Sequence, residues 1–296
     1  MLKKIAKKRK IKKEYWQVTL LFLPGVIFFS LFTLYPIVKL FIMSFYEYKI
    51  GALKESTFVG LHNYIQVISD EISQAAVVNT LIYALITVPG QIVLGLLIAV
   101  FINKLSKAKV FFRVLYYFPV ITSWVIVSVL FRYIFQNEGY LNYLIFSMLE
   151  VEPVHWLETR MSSLAVLSII GIWKGIGWSM TVFIAALTAV PLELYEVAEV
   201  DGSNSIKNFF YITLPSIRNT ILFTFVMLTI GAFNTFTPVK LMTDGKPLHQ
   251  TEFVLTWMYK NAFEFRNMGY SAALSFTVGL LISIIAIIQF NYFKKA

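Results

Sequence analysis

Long apolar runs separated by short polar segments dominate this sequence. Six runs are long enough to cross about 30 Å of hydrocarbon as a helix, which takes about 20 residues. An open strand or loop in lipid would leave its backbone donors and acceptors unsatisfied, so all six are predicted to be helices. They are placed at residues 15–38, 76–102, 111–135, 162–190, 217–239 and 270–293. The pattern therefore predicts an all-α integral membrane protein with six transmembrane helices.

The composition agrees with a chain that folds in lipid. Of its 296 residues, 58% are hydrophobic and 14% are charged, and the mean hydropathy is +0.70. Soluble domains contain about 45–50% apolar and about 25% charged residues. Prolines and glycines inside the runs are expected to kink or locally open several helices, namely Pro24, Pro36, Pro89, Pro119, Gly175 and Gly177.

The distribution of Lys and Arg predicts the orientation. The stretch KKIAKKRKIKK comes directly before the first apolar run, and dense basic clusters near a first span are retained in the cytoplasm. With six spans, both termini are then cytoplasmic. Residues 1–14 form a basic cytoplasmic tail and residues 15–296 the transmembrane domain. The net charge of +10 is also compatible with nucleic-acid binding, but a basic tail beside a span favours contact with anionic lipid, so no nucleic-acid partner is expected.

The sequence offers little of the chemistry that catalysis requires. Cysteine is absent, the three histidines lie far apart without metal-ligand spacing, and no GxxxxGK[ST] phosphate loop occurs. No Asp or Glu lies deep in a run, so no proton relay is evident. Lys174 is the one cation well inside a run, and it is expected to snorkel or to pair with backbone carbonyls. We expect no metal, no cofactor and no enzymatic activity. Uphill transport would need another protein to supply the energy.

One strongly polar segment, YEVAEVDGSNSIKNFFYITLP, separates the fourth run from the fifth and would face the cytoplasm. Pro191 suits the first turn of a helix, and Glu193 and Glu196 suit its positive N-terminal end. Gly202 suits a helix stop, and Ser203, Asn204 or Ser205 suits the cap of a second helix. The segment therefore predicts a helix, a sharp turn at glycine and a second helix.

This segment resembles the EAA motif of permeases from importer-type ABC transporters, with Val197 in place of the first Ala. The matching positions, together with the acid before the glycine, are Glu196, Val197, Ala198, Asp201, Gly202, Ile212, Leu214 and Pro215. In that family the element is a coupling helix that docks on the ATP-binding subunit. We call residues 191–215 the coupling segment.

Other stretches narrow the resemblance to the carbohydrate-uptake class of these permeases, which includes maltose-type and glycerol-3-phosphate-type systems. They include FVGLHNYIQVI, GIWKGIGWSMTVFIAALTAVP and NMGYSAALSF. The resemblance implies a second homologous permease subunit, two copies of a cytoplasmic ATP-binding subunit and an extracytoplasmic solute-binding protein. It also implies import of a sugar or oligosaccharide by alternating access. A non-sugar or anionic solute such as glycerol phosphate is the alternative.

The fifth run contains GAFNTFTPV, where a polar Asn-Thr pair is flanked by Phe rings in the middle of the membrane. This stretch resembles the segment that lines the substrate cavity of maltose-type permeases. The pathway candidates are Phe233, Asn234, Thr235 and Phe236, with Trp173 and Trp178 as weaker ones. Hydrogen bonding between helices is the equally favoured alternative for Asn234 and Thr235. After the fifth run the family shows T-G-G-G-P, whereas this chain has TDGKP at residues 243–247.

Overall fold

The computed structural model describes residue 16, residues 18–48 and residues 56–295. The predicted basic tail, residues 1–14, lies outside the described residues. The helices are α1 (Val18–Met43), α2 (His62–Ser69), α3 (Glu71–Lys104), α4 (Lys109–Ile121), α5 (Trp124–Phe135), α6 (Tyr140–Leu149), α7 (Arg160–Thr188), α8 (Glu193–Val200), α9 (Ser205–Asn208), α10 (Leu214–Ser216), α11 (Arg218–Phe233), α12 (Thr237–Met242), α13 (Val254–Tyr259) and α14 (Met268–Lys295). The π-helical turns are Ser30–Leu34, Phe209–Thr213 and Lys260–Glu264.

The helical membrane fold predicted from the apolar runs is confirmed. In the described part of the chain, five helical stretches are long and apolar enough to cross a membrane: α1, α3, α7, α11 with α12, and α14. A sixth is obtained if the pair that begins with α4 and continues through α5, bent by 89°, counts as one span. The number of spans that cross the bilayer therefore stays a prediction.

The third predicted span, residues 111–135, is interrupted near Pro119, one of the residues expected to kink or open a span. It breaks at Thr122 and Ser123, three residues after the proline. The backbone groups left without helical partners at this break bond to side chains: Thr122 Oγ1 donates to Pro119 O at 2.6 Å, and Ser123 Oγ accepts from Val125 N at 3.2 Å. The break therefore ends α4 and starts α5 with a new cap.

The chain divides into two compact units. The first unit, residues 1–66 and 261–276, contains α1, the start of α2 and α14, and a two-stranded antiparallel pair, β1 (Tyr46–Glu47) with β2 (Thr57–Phe58), in which Tyr46 lies opposite Phe58. The buried amide of Asn63 donates to Ser44 O at 2.9 Å and Tyr46 O at 3.0 Å. The segment that follows α1 is thus locally structured.

The second unit, residues 67–260 and 277–296, is built around α3 and α7. Glycines of α7 make the close approach possible: a Cβ at Gly171 would overlap the Tyr83 hydroxyl, one at Gly175 would overlap the Gln91 amide, and one at Gly177 would overlap Tyr116 O of α4. The expectation that Gly175 and Gly177 open this helix is wrong. Both lie inside continuous α7, where they provide room for neighbouring helices.

Candidate functional site

The coupling segment folds as the predicted helix, glycine turn and second helix. Its first helix, α8, begins at Glu193, so Pro191 lies just before the helix and not in its first turn. Glu193 and Glu196 both occupy the first turn, where the helix dipole favours negative charge.

Gly202 ends α8 in a Schellman arrangement. Its φ of +77° is a left-handed conformation that glycine adopts without strain. Ser203 N donates to Ala198 O at 2.9 Å, and Gly202 N donates to Glu199 O at 3.1 Å, so the last carbonyls of the helix are satisfied. Of the three predicted caps, Asn204 performs the role, accepting from Lys207 N at 2.9 Å.

The coupling segment is fixed to the membrane helices at its C-terminal side. The Tyr195 hydroxyl hydrogen-bonds Thr213 Oγ1 at 2.9 Å, and Thr213 Oγ1 donates to Asn208 O at 3.3 Å. Leu214 packs on a buried cluster formed mainly by residues of α3 and α7. Ile212 is half-buried, and Pro215 is exposed in the short helix α10. Thr213 and Leu214 thus connect α8 to the helices α3 and α7.

The opposite side of α8 presents apolar side chains to the outside. Val197 is 63% exposed and Val200 is 88% exposed, while Ala198 is half-buried. Val197 and Val200 are three residues apart on one helix, so they form a small apolar patch outside the spans. Glu196, Glu199 and Asp201 surround them with negative charge.

A cavity of about 320 Å³ lies inside the second unit, between α3, α7 and the interruption that separates α11 from α12. Its lining residues are Tyr83, Thr87, Gln91, Val120, Trp124, Gly171, Lys174, Gly175, Trp178, Leu228, Gly231, Ala232, Asn234, Thr235, Phe236, Thr237 and Pro238. We call it the Asn234 cavity. It has the size and the mixed apolar and polar character of small-molecule sites.

Four of the six pathway candidates line this cavity, namely Trp178, Asn234, Thr235 and Phe236. Phe233 is instead buried, at 3% exposure. Trp173 lies against Phe131, with 5.4 Å between ring centroids.

One wall of the cavity comes from α3 and was not predicted from the sequence. Tyr83, Thr87 and Gln91 recur every four residues, which places them on one face of a helix. A polar stripe at this spacing in an otherwise apolar span was the available signal.

The interruption after α11 explains why Asn234 faces open space. Its side-chain amide donates to Ile230 O at 3.0 Å, a bond within its own helix, and its side chain stays exposed. Thr235 faces the Tyr83 hydroxyl of α3. Contact with a solute thus stays a prediction for both, and Thr235 also has the interhelical partner that the alternative requires.

Lys174 pairs with backbone carbonyls, which is one of its two predicted outcomes. Its ammonium donates to Pro119 O at 2.7 Å, Val120 O at 3.2 Å and Thr122 O at 2.7 Å, and lies 5.1 Å from the centroid of the Trp124 ring. These carbonyls are exposed by the break between α4 and α5. Lys174 therefore caps the broken helix from inside the bundle.

The loop after α12 is organised by a buried ion pair. Glu252, which is fully buried, contacts Lys260 Nζ at 2.6 Å and accepts from Thr256 Oγ1 at 2.5 Å. A Cβ at Gly245, whose φ is +81°, would overlap the Glu252 carboxylate, so the glycine of TDGKP makes room for the pair. Asn79 of α3 fixes the loop by donating to Gln250 O and Glu252 O, each at 2.8 Å.

Asp244 extends the same network to the surface. Partial burial raises the pKa of its carboxyl, but hydrogen bonds and charge interactions with Lys240 and Lys260 outweigh burial and hold the pKa below its ordinary value. Lys240 Nζ lies 2.9 Å and Lys260 Nζ 3.4 Å from Asp244 Oδ1.

Among the residues that the structure describes, no group of three or more His, Asp and Glu side chains is placed to hold a metal ion.

Curated permeases of Bacillus subtilis are similar to this chain over most of its length. A permease of Bacillus subtilis described as probable ABC transporter permease protein YurN is 31% identical over 278 residues, covering 93% of this chain and 95% of that protein. The arabinooligosaccharides transport system permease protein AraP of the same organism is 32% identical over 269 residues, covering 90% and 85%.

A solved structure shares the fold. A chain from a bacterial ABC transporter involved in the import of the acidic polysaccharide alginate superposes with a TM-score of 0.85 at 22% identity, covering 98% of this chain and 99% of that chain. Residues 75–295 match the family described as binding-protein-dependent transport system inner membrane component. The chain therefore belongs to this family of ABC transporter permeases, which are multi-pass inner membrane proteins.

Proposed function

We propose that this chain is the non-catalytic permease subunit of an ATP-driven importer for a sugar or oligosaccharide. Its partners are a second homologous permease subunit, two copies of a cytoplasmic ATP-binding subunit that hydrolyse ATP, and an extracytoplasmic solute-binding protein. Residues 1–14 are a cytoplasmic tail and residues 15–296 the permease domain, with both termini in the cytoplasm. The observation that carries the proposal is α8, an exposed helix with an apolar face that is tied to the membrane helices.

The coupling segment links the ATP-binding subunits to the Asn234 cavity. The ATP-binding subunit docks on the face of α8 formed by Val197 and Val200. Closure of the two ATP-binding subunits displaces α8. The bond from Tyr195 to Thr213 and the packing of Leu214 pass that displacement to α3 and α7. Both helices line the Asn234 cavity, which then opens to alternate sides of the membrane. A loaded solute-binding protein stabilises the outward-facing form by binding it more tightly than the inward-facing one.

The lining of the Asn234 cavity supports a sugar as the solute. Recognition of sugars uses aromatic faces beside hydroxyl, amide and backbone partners, and the cavity offers Trp124, Trp178 and Phe236 beside Thr87, Gln91 and Asn234. Relatives named for arabinooligosaccharide and lactose transport support the same substrate class.

The cavity offers less support for an anionic solute. Lys174 is the cation of its lining, and an ammonium group has three donors. Each of the three carbonyls at the helix break accepts from Lys174, so the donors of this side chain are occupied.

Docking on α8 is tested by co-purification. The chain is co-expressed with its second permease and ATP-binding subunits, and retention of the ATP-binding subunit is measured for the variant Val197→Asp with Val200→Asp. Truncation of interface hot spots costs about 2 kcal/mol or more, so we expect retention to fall by roughly 30-fold while the two permeases stay paired. The matched control is Val151→Asp with Val154→Asp, in an exposed stretch far along the chain from α8. Equal retention by both variants would contradict docking on α8.

The solute pathway is tested separately. Asn234→Leu removes one polar group from the cavity and leaves α8 intact. A neutral hydrogen bond contributes about 0.5–1.5 kcal/mol, so uptake of the transported sugar should fall by about 2- to 10-fold while the ATP-binding subunit is retained. Met227→Leu, at an exposed position of α11 outside the cavity lining, is the control and should leave uptake unchanged. Unchanged uptake in Asn234→Leu would leave the coupling proposal standing and remove this residue from the pathway.

A further inference from the structure

A second concavity, distinct from the Asn234 cavity, opens on the flank of α4 and α7. It has a volume of about 660 Å³. Its walls are Arg113, Val114, Tyr117, Phe118 and Ile121 from α4, and Thr181, Ile184, Ala185 and Thr188 from α7. We call it the α4/α7 groove. Gly177 brings the two helices together, because its missing Cβ lets α4 approach α7 at Tyr116.

The walls of the groove expose mainly apolar groups, although two threonines contribute to them. Its two threonines donate their hydroxyls back to their own helix: Thr181 to Gly177 O at 2.8 Å, and Thr188 to Ile184 O at 3.0 Å and Ala185 O at 2.8 Å. Their methyl groups are then left to face the groove beside exposed Val114, Phe118 and Ile121. Such walls favour contact with a hydrocarbon chain, because both surfaces are then removed from water.

The groove has the length of one lipid leaflet. From Arg113 to Ile121 the helix rises about 12 Å at 1.5 Å per residue. One leaflet contributes half of the roughly 30 Å hydrocarbon core, which is about 15 Å. The groove therefore matches a single acyl chain that runs from the headgroup level toward the middle of the bilayer.

The mouth of the groove is strongly basic. Arg113 lies at the mouth, exposed, one turn after Lys109, and Lys104 and Lys107 precede them. The sequence contains no Asp or Glu between Glu71 and Glu138, so these cations are not neutralised locally along the chain. Phe112, the residue before Arg113, packs on the same buried cluster as Leu214. The mouth of the groove therefore lies near the C-terminal end of the coupling segment.

We infer that the α4/α7 groove binds an anionic phospholipid, with an acyl chain between the two helices and the phosphate at Arg113. Basic pockets between transmembrane helices at the cytoplasmic face are suited to anionic headgroups. Since α4 ends at the break capped by Lys174, a lipid bound along α4 would stabilise the helix that bounds the Asn234 cavity.

Photo-crosslinking tests this inference. The chain, purified with its co-expressed partner subunits, is placed in nanodiscs that contain phosphatidylglycerol carrying a photoreactive acyl chain, and labelled peptides are mapped by mass spectrometry. We expect labels on residues 114–121 and 181–188 that unlabelled phosphatidylglycerol displaces and phosphatidylcholine does not. Each basic residue near an anionic surface contributes about 1 kcal/mol, so Arg113→Gln should reduce labelling about fivefold.

Matched variants separate the groove from the general membrane surface. Ala185→Trp fills the groove and should abolish the labels, whereas Ile169→Trp, at an exposed position elsewhere on α7, should leave them unchanged. Lys39→Gln, a basic residue of α1, should also have no effect. Equal competition by both lipids, labelling unaffected by Arg113→Gln, or protection of the groove by the second permease subunit would each overturn the proposal.

Discussion

Two lysines of the second unit are buried to a similar degree but stabilised by different partners. Lys174 is 6% exposed and Lys260 is 4% exposed. Lys174 donates to three backbone carbonyls at the break between α4 and α5, and no acid occurs in the sequence between Glu158 and Glu193. Lys260 contacts the buried carboxylate of Glu252 at 2.6 Å and donates to Asp244 O at 2.8 Å.

The difference shows two ways to hold a cation in an apolar bundle. At Lys260 a full countercharge offsets the cost of removing the ammonium from water, so each member of the pair depends on the other. At Lys174 partial charges on carbonyl oxygens provide that offset, and those oxygens are available because the helix is broken. Lys260 is therefore held mainly by the charge of Glu252, with Asp244 beside it, whereas Lys174 is held by a backbone conformation.

The largest expected effect follows removal of the Glu252 charge. Glu252→Gln keeps the shape of the side chain but leaves Lys260 buried beside a neutral amide. Breaking a buried pair costs about 3–5 kcal/mol, so the loop of residues 243–260 should lose protection and the apparent unfolding temperature in detergent should fall. Hydrogen exchange of this loop, read by mass spectrometry, measures the change.

A second variant turns this prediction into a test of pairing. Glu252→Gln with Lys260→Met removes both charges, so most of the lost protection should return, because the uncompensated cation is gone. A double variant as unstable as Glu252→Gln alone would show that Glu252 acts through Thr256 and the loop backbone and not through Lys260.

Lys174→Met should have an intermediate effect. It leaves the carbonyls of Val120 and Thr122 without the lysine donor, while Pro119 O keeps its bond from Thr122 Oγ1, and an unsatisfied buried polar group costs about 1–3 kcal/mol. The Asn234 cavity next to the lysine can admit water to these carbonyls, which limits the loss. The apparent unfolding temperature and hydrogen exchange of residues 109–130 would report it.

Lys174→Arg sharpens the contrast with Lys260. A planar guanidinium cannot direct its donors to three converging carbonyls as an ammonium group does, so this variant should restore little of the loss even though the charge is kept. Full stability of Lys174→Arg would show that charge, and not the geometry of the broken helix, determines the site.

The spans, and the glycine turn and second cap of the coupling segment, could be predicted from residues that are close together in the sequence. The spans can be predicted from apolar runs, because in lipid the backbone N–H and C=O groups must hydrogen-bond with each other, as they do in a helix. The turn at Gly202 and the cap at Asn204 follow from residues that act on their immediate neighbours. Both kinds of signal are contained in a few consecutive residues.

The remaining features depend on contacts between distant parts of the chain. Gly175 and Gly177 suggested an opened helix, but their small size serves contacts with Gln91 and Tyr116 from other helices. The α3 wall of the cavity and the ion pair of Glu252 with Lys260 also appear only when the chain is folded. The sequence pattern located the polar interruption at Asn234 but could not show which helices face it.

The smallest expected effect concerns Asp244, at the exposed end of the Lys260 network. Its side chain is 47% exposed, so its pairs with Lys240 and Lys260 should contribute less than about 1 kcal/mol. Because the pKa of Asp244 lies below its ordinary value, its carboxylate stabilises the fold above about pH 4 and that contribution is lost as the pH falls through the folded-state pKa. Asp244→Asn should therefore increase hydrogen exchange of residues 243–260 slightly at pH 7, and the difference from wild type should shrink at lower pH. Asp201→Asn, which neutralises an acid in the coupling segment, is the control. An Asp244→Asn effect as large as that of Glu252→Gln would mean that the surface carboxylate, and not the buried one, holds Lys260 in place.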